Sequence, residues 1–386
     1  MALTASTVGP YFASGSISFS QLRANFKETS SGEVKASELL RVTDVTNTAP
    51  IVPDATENAS IATSTNLKTS QFRNSIKYYN LNQGSGDTDD RLNIAESSLW
   101  NGNLGKTIVK TVTLAGTSKS ETTNQPAASL DAAAVYNVLL VITGSLLGDG
   151  GAAGTETTAG GDGGHALYID TNGTGTVTVR TSGASAQVYG GGGGGGGGGD
   201  GGNGGGGTWT ESGSSYWANT GCVGNNMPCQ YSPNFNPPHP CNCRDECRGI
   251  RACGDGINYT LWERICVYCY SNTYYSSGGT GGDGKDGGLG RGYNQSRGFG
   301  VSGDAGSGGG RNAGNGGQGG TSGDGGDWGE NGTAGGTGVN GTNGNNGSGT
   351  AGASGTAGGT AGRAVAGSGY TIDTANGVDA AYKGLK

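Results

Sequence analysis

Glycine stands at every third position from 314 to 347: 314, 317, 320, 323, 326, 329, 332, 335, 338, 341, 344 and 347. Shorter stretches in the same rhythm occupy 278–290, 300–309 and 349–358, and 190–199 is ten glycines without a break. A period of three matches neither the 3.6 of an α-helix nor the 2 of a strand. It matches an extended helix of the polyproline II type, with three residues per turn. Collagen has that period but needs abundant proline, and no proline follows Pro240. The positions between the glycines hold mostly Asp, Asn, Ser, Thr, Ala and Gln, none of which locks φ, so bonds between neighbouring segments must hold such helices extended. A flexible linker has similar composition, but nothing in a linker keeps phase. The expectation is a folded bundle of short polyglycine II helices.

With 84 glycines among 386 residues and 32% apolar residues, a conventional core cannot run through the whole chain. The net charge of −7 leaves no electrostatic footprint for nucleic acid. The most apolar stretch, 132–147, is shorter than a membrane span and is interrupted by Asn137 and Thr143. Residues 1–15 lack the basic and apolar regions of a secretory signal. Neither nucleic acid nor membrane insertion is expected.

The first 80 residues carry a weak repeat: SGSISFSQLRANF at 14–26 is echoed by STNLKTSQFRNSI at 64–76. Each unit reads as a short capped helix of two or three turns, marginal alone in water and therefore docked on something. Residues 42–58 between them read as an extended linker. Strands are expected at 106–114, 136–142, 165–170, 176–181 and 185–189, the first from its alternation with β-branched residues. Residues 370–374 and 380–384 are expected to return to the same β platform.

Residues 208–277 interrupt the glycine rhythm. They hold all eight cysteines, Cys222, Cys229, Cys241, Cys243, Cys247, Cys253, Cys266 and Cys269, with eleven of the 27 aromatic residues. The spacing contains one C-x2-C and one C-x-C, which would serve a tetrahedral zinc site, but no second C-x2-C completes a ribbon. Eight cysteines in a segment poor in aliphatic residues favour a disulfide framework in place of a core, oxidised after release from a reducing cytoplasm. No metal or other cofactor is expected. Aromatic side chains on a rigid cross-linked loop suit recognition; Trp262 and Tyr268 serve the segment's own core equally well. The contact candidates are Tyr231, Phe235, His239, Tyr274 and Tyr275, joined by Tyr293 and Arg297 in the rhythm break at 291–299, whose alternative is a plain turn.

Catalysis finds little support. His165 opens a strand and His239 sits in a stiff NPPHP segment. The GTGGDGK sequence at 279–285 has the spacing of a phosphate loop, but Asp286 stands where Ser or Thr is required. A non-enzyme is expected.

The chain resembles glycine-rich tail-fibre and tail-tip adhesins of tailed phages. The SISFSQLR unit at 16–23, WNGNLGKTIV at 100–109 and the strand leading into the glycine run at 177–199 carry the resemblance, which spans 14–30, 64–80 and 98–370. It implies a virion protein, assembled in the host cytoplasm and oligomeric in the virion. It also implies a polyglycine II sandwich whose distal loops contact a host surface polysaccharide or outer-membrane receptor. The cysteine-rich segment departs from that family pattern. A capsid or baseplate decoration protein is the alternative. The expected organisation is mainly β and irregular with short N-terminal helices: an attachment segment at 1–97 for other tail or fibre proteins, a β platform at 98–207, the cysteine-rich insertion at 208–277, a polyglycine II bundle at 278–362, and C-terminal strands at 363–386.

Overall fold

The computed structural model describes residues 3–8, 19–22, 26, 35, 39–41, 52–64, 67–72, 75, 77–121, 125–172, 175, 177–222, 240–252, 258–373 and 381–385. In the strands between 214 and 270 it describes the backbone alone. The described part is mainly β, with a few one-turn helices.

Strands from successive passes of the chain stack in parallel into three sheets. The first contains β2 (Tyr78–Gln83), β5 (Val109–Leu114), β8 (Val138–Ile142), β11 (Val177–Thr181) and β17 (Tyr370–Ile372). The second contains β3 (Thr88–Asp90), β6 (Thr117–Lys119), β9 (Ser145–Leu147), β12 (Gln187–Tyr189) and β18 (Tyr382–Lys383). The third contains β4 (Leu92–Asn93), β7 (Ala128–Asp131), β10 (Leu167–Asp170) and β16 (Val365–Ser368). The chain visits the three in the same order on every pass, which makes a three-faced parallel β-helix. Antiparallel β1 (Leu3–Val8) pairs with β2 and covers its outer edge.

Alternation explains the coil. Each strand sends every second side chain inward, where like residues form ladders: Leu81, Val112, Leu140 and Val179 are in register and fully buried. Leu146 and Val188, and Leu130 and Ile169, do the same on the other two faces. The strand expected at 136–142, an apolar run whose composition suits cover on both faces, is covered on one face only. Val138, Leu140 and Ile142 are buried while Leu139 and Val141 are half-buried, because the outer face of a β-helix strand has no second sheet over it.

One inward position is charged. Lys110 is fully buried, and its Nζ donates to the carbonyls of Lys106, Ile108 and Tyr136 at 2.7–2.9 Å. Burial pushes its pKa down to about 7, with Asp54 pulling the other way. Between about 7 and the ordinary 10.5 the unfolded chain binds more protons, so this group adds stability as pH rises through that window. Denaturant titrations from pH 7 to 10 are expected to show that rise in the wild type and to lose it in Lys110→Met. Parallel pH profiles of the two proteins would refute the assignment.

The N-terminal repeat packs against itself. Helix α1 (Phe19–Leu22) and a 3-10 turn at Thr69–Phe72 are one turn each rather than two or three. Leu22, Phe26 and Phe72 are buried together with Leu39, Val52 and Ile61, and the Phe26 and Phe72 rings meet edge-on at 5.6 Å. A single turn suffices because each unit delivers its apolar side chains to that shared cluster. The linker expected at 42–58 is replaced in its second half by packed chain. The Asp54 amide donates to Thr107 Oγ1 and its carboxylate meets Arg41 and Lys106 at 2.8 and 3.2 Å. The WNGNLGKTIV stretch explains this docking. Helix α2 (Ser97–Trp100) ends on Asn101 and Gly102 at positive φ, and Asn103 then turns inward to accept from the Thr56 amide at 2.7 Å.

Two coils open at the same corner, between the second and third sheets. The third coil releases 148–164 and the fourth releases 190–362. His165 sits at this corner and accepts the Arg363 amide on Nδ1 at 2.9 Å. Burial, then the Arg363 charge, hold its pKa below the usual value.

Candidate functional site

The released chain forms eight runs without helix or strand, at 148–154, 160–164, 190–206, 279–291, 298–309, 314–329, 330–344 and 349–362, tied by backbone hydrogen bonds that recur every third residue. The third run is the centre. Its amides at 192, 195, 198, 201 and 204 donate to the fourth run; those at 193, 196, 199, 202 and 205 donate to the seventh; Gly191 and Gly194 donate to the second. Its carbonyls accept from the sixth run at 190 through 205, from the eighth at 191 through 203, and from the first at 192 and 195. Three faces, each donating to one neighbour and accepting from another, give six neighbours.

That arrangement explains the ten consecutive glycines. A Cβ at Gly196 would lie 2.0 Å from the Thr356 carbonyl oxygen, and at Gly191 1.7 Å from that of Asp149. Backbone occupies every face of the central run, so no face admits a side chain. The sixth run touches the third, fourth, fifth and seventh and carries glycine on two of its three faces. Among the described residues the fifth bonds to the fourth and sixth alone and carries glycine chiefly on one face. Where the first run ends, side chains reappear in the third: Asp200 and Asn203 are exposed, and their Oδ1 atoms accept the Gly284 and Gly281 amides at 3.0 and 2.9 Å. They replace the carbonyls that Gly151 and Gly154 present to Gly290 and Gly287.

At the far end of the central run the chain passes into β13 (Gly207–Cys222), which pairs with β15 (Asn258–Ser276); β14 (Pro240–Ala252) pairs with the other edge of β15. Gly207 and Ser276 face each other in the register, so the segment leaves and re-enters the bundle at one point. Two turns clamp that root. Thr208 donates its amide to Asn345 Oδ1 at 2.7 Å and its carbonyl accepts from Asn312 Nδ2 at 3.0 Å, while Ser276 Oγ donates to the Arg311 carbonyl at 2.7 Å. Above them Trp209 stacks on Tyr274, its register partner, at 5.4 Å and 17°. The Arg311 guanidinium lies 5.4 Å from the indole centre and 3.5 Å from Glu211. Tyr275 projects beside this stack, 73% exposed.

The sequence candidates therefore divide. Tyr274 and Tyr275 are exposed at the root of the three-stranded sheet. Tyr293 and Arg297 lie at the opposite end of the bundle, beside the β-helix. The Tyr293 ring is 4.7 Å from Lys119 Nζ, and Arg297 donates to the Gly325 carbonyl at 2.7 Å and pairs with Asp324 at 3.6 Å. Tyr231, Phe235, His239, Cys229 and Cys253 lie outside the described residues. Cys222 ends β13, Cys241, Cys243 and Cys247 lie on β14, and Cys266 and Cys269 on β15; Cys243 and Cys266 are register partners. Sequence reasoning missed Trp209 as a contact residue, and missed Arg311, Asn312 and Asn345 altogether. For Arg311 and Asn312 the signal was the local loss of glycine phase at 310–313; Asn345, inside the unbroken period, gave none.

Among the described residues no helix is long and apolar enough to cross a membrane. No curated protein matches this chain, and no solved structure matches it either. Residues 68–236, which run from the second repeat unit through three coils, the first two strands of the fourth and the central glycine run into the cysteine-rich segment, match the family model described as phage tail fibre adhesin Gp38, and this bears out the resemblance to tailed-phage tail-fibre adhesins.

Proposed function

We propose that this protein attaches a phage to its host through residues 208–277, held at the end of a rigid glycine scaffold. The observation that carries the reading is the root of that segment. It leaves and re-enters the bundle between Gly207 and Ser276, beside the stack of half-buried Trp209 on exposed Tyr274 and beside exposed Tyr275. Stacked aromatic rings with an adjacent guanidinium offer contact area at small conformational cost. The tail-fibre adhesin match supports a virion component that meets the host surface.

In this reading the eight runs are polyglycine II helices in hexagonal packing, supported by the three-residue hydrogen-bond period and the six neighbours of the central run. The cysteines form a disulfide framework that stiffens the projecting sheet. Residues 1–97 join other tail or fibre proteins, the protein is oligomeric in the virion, and it performs no catalysis. The partner on the host side is a surface polysaccharide or an outer-membrane protein.

The test replaces 208–276 by a short glycine-serine bridge between Gly207 and Ser277 and measures binding of the purified protein to host cells. Binding is expected to disappear while the melting profile of the β-helix persists. Undiminished adsorption would rule this segment out as the contact surface.

A further inference from the structure

The turn joining the fourth and fifth runs and the turn joining the sixth and seventh meet at the β-helix end of the bundle, far from the projecting sheet. Between them is an open cleft of about 550 Å³, a size that accommodates a small organic ligand. Its charges cancel. The Arg291 guanidinium is 2.9 Å from the Asp327 carboxylate, and Arg297 is 3.6 Å from Asp324. Two cations held by two carboxylates leave no net field for a phosphate or a polyanion. They do leave oriented N–H donors and carboxylate acceptors side by side. Asn294 and Gln295 add amide groups to the same wall.

Gly292, Ser296 and two aromatic residues, Phe299 and Trp328, complete the lining. Phe299 is 68% exposed, the most open of the large apolar side chains on the runs, which also leave Leu289, Val301 and Val339 in solvent. Arg297 lies 5.2 Å from its ring centre, on one face, and the ring is otherwise open to solvent. Trp328 is held from behind by Tyr189 at 5.7 Å, with Arg291 5.8 Å from its centre. Positioned aromatic surface beside paired guanidinium, carboxylate and amide groups fits a pyranose ring. Its C–H face lies on an aromatic face, and its hydroxyls both donate and accept.

We propose that this cleft binds a neutral hexose unit of a saccharide, with Phe299 as the stacking surface and Arg291, Asp327 and Asn294 as hydroxyl partners. The site is separate from attachment through 208–277 and does not rest on it.

The test uses the full chain and saturation-transfer NMR with methyl glucoside, methyl mannoside, methyl galactoside and N-acetylglucosamine, against galacturonate and inorganic phosphate. At least one neutral sugar is expected to show transfer to its ring protons, with Kd on the order of 1 mM. Phe299→Ala and Arg291→Ala should each weaken that binding about tenfold, equivalent to ~1.4 kcal/mol. Phe299 is exposed, so its variant should melt with the wild type. The protein lacking 208–276 should bind the sugar undiminished even if it no longer adsorbs to cells. Absence of transfer from every neutral sugar, unchanged affinity in Phe299→Ala, or preference for galacturonate or phosphate would each overturn the proposal. None of these results bears on adsorption through 208–277.

Discussion

Gly196→Ala is expected to destabilise the glycine bundle by about 3 kcal/mol or more, the upper range for overpacking a closed interior. The sign is opposite to the usual one. At a site with room, replacing glycine by alanine stabilises by about 0.4–1 kcal/mol, because the unfolded chain loses freedom. At 196 the new methyl would lie 2.0 Å from the Thr356 oxygen and 2.8 Å from that of Ala357. Both are backbone atoms, so no side chain can swing away. Relief requires the third and eighth runs to separate, which strains the Thr356–Gly197 and Gly359–Gly194 bonds at 2.9 and 2.7 Å. Gly308→Ala is the control: its nearest neighbour would be Asn315 Oδ1 at 4.0 Å. Thermal unfolding with limited proteolysis of 190–362 compares the two. Equal stability of both variants would mean that the central run is not closely packed.

Trp100→Ala is expected to cost about 3–5 kcal/mol of β-helix stability, the range for deleting a large buried aromatic side chain. The indole is 1% exposed, lies stacked on Tyr79 at 5.7 Å and donates Nε1–H to the Ile94 carbonyl at 2.7 Å. Its removal leaves a cavity against the first coil and an unpaired buried carbonyl. Tyr79 is tied to the same place, its hydroxyl donating to the Leu99 carbonyl at 2.6 Å. Trp100→Phe separates the contributions: ring packing largely survives and the hydrogen bond does not, so about 1–3 kcal/mol should be lost. Denaturant unfolding followed by tyrosine fluorescence reads both. An alanine variant within 1 kcal/mol of wild type would contradict the burial assigned to this ring.

Much of the β part was legible locally. Alternating β-branched residues marked β5, an apolar run marked β8, and β10, β11 and β12 were placed to within a few residues. Their assembly was not. The coil that repeats through Leu81, Val112, Leu140 and Val179 next reaches Ile372, and 190–362 intervenes. A repeat broken by so long an excursion leaves no period in the sequence. The second half of the N-terminal linker was misjudged because Thr, Pro and Asn composition registers exposure. At Asp54 and Asn58 the polar groups are instead buried and bonded within the fold.

The site was legible in part. Tyr274 and Tyr275 could be named because they end an aromatic-rich segment at the point where glycine phase resumes. Their neighbours could not, since Arg311 is 100 positions from Glu211 and Asn345 is 137 from Thr208. Tyr293 and Arg297 were grouped with them on composition, and the fold separates the two pairs by the length of the central run.

The glycine pattern by itself determined how many faces of each run can meet another backbone. A residue without Cβ is required wherever a carbonyl approaches to about 2 Å of the Cβ position, and the faces that carry glycine at every third position record such approaches. Which run meets which was decided only by the tertiary structure. Backbone amides and carbonyls are chemically alike in every run, so their hydrogen bonds carry no address. The β-helix supplies it by releasing and retaking the chain at one corner. That places 190–199 at the centre and carries the interruption at 208–277 to the end farthest from the platform.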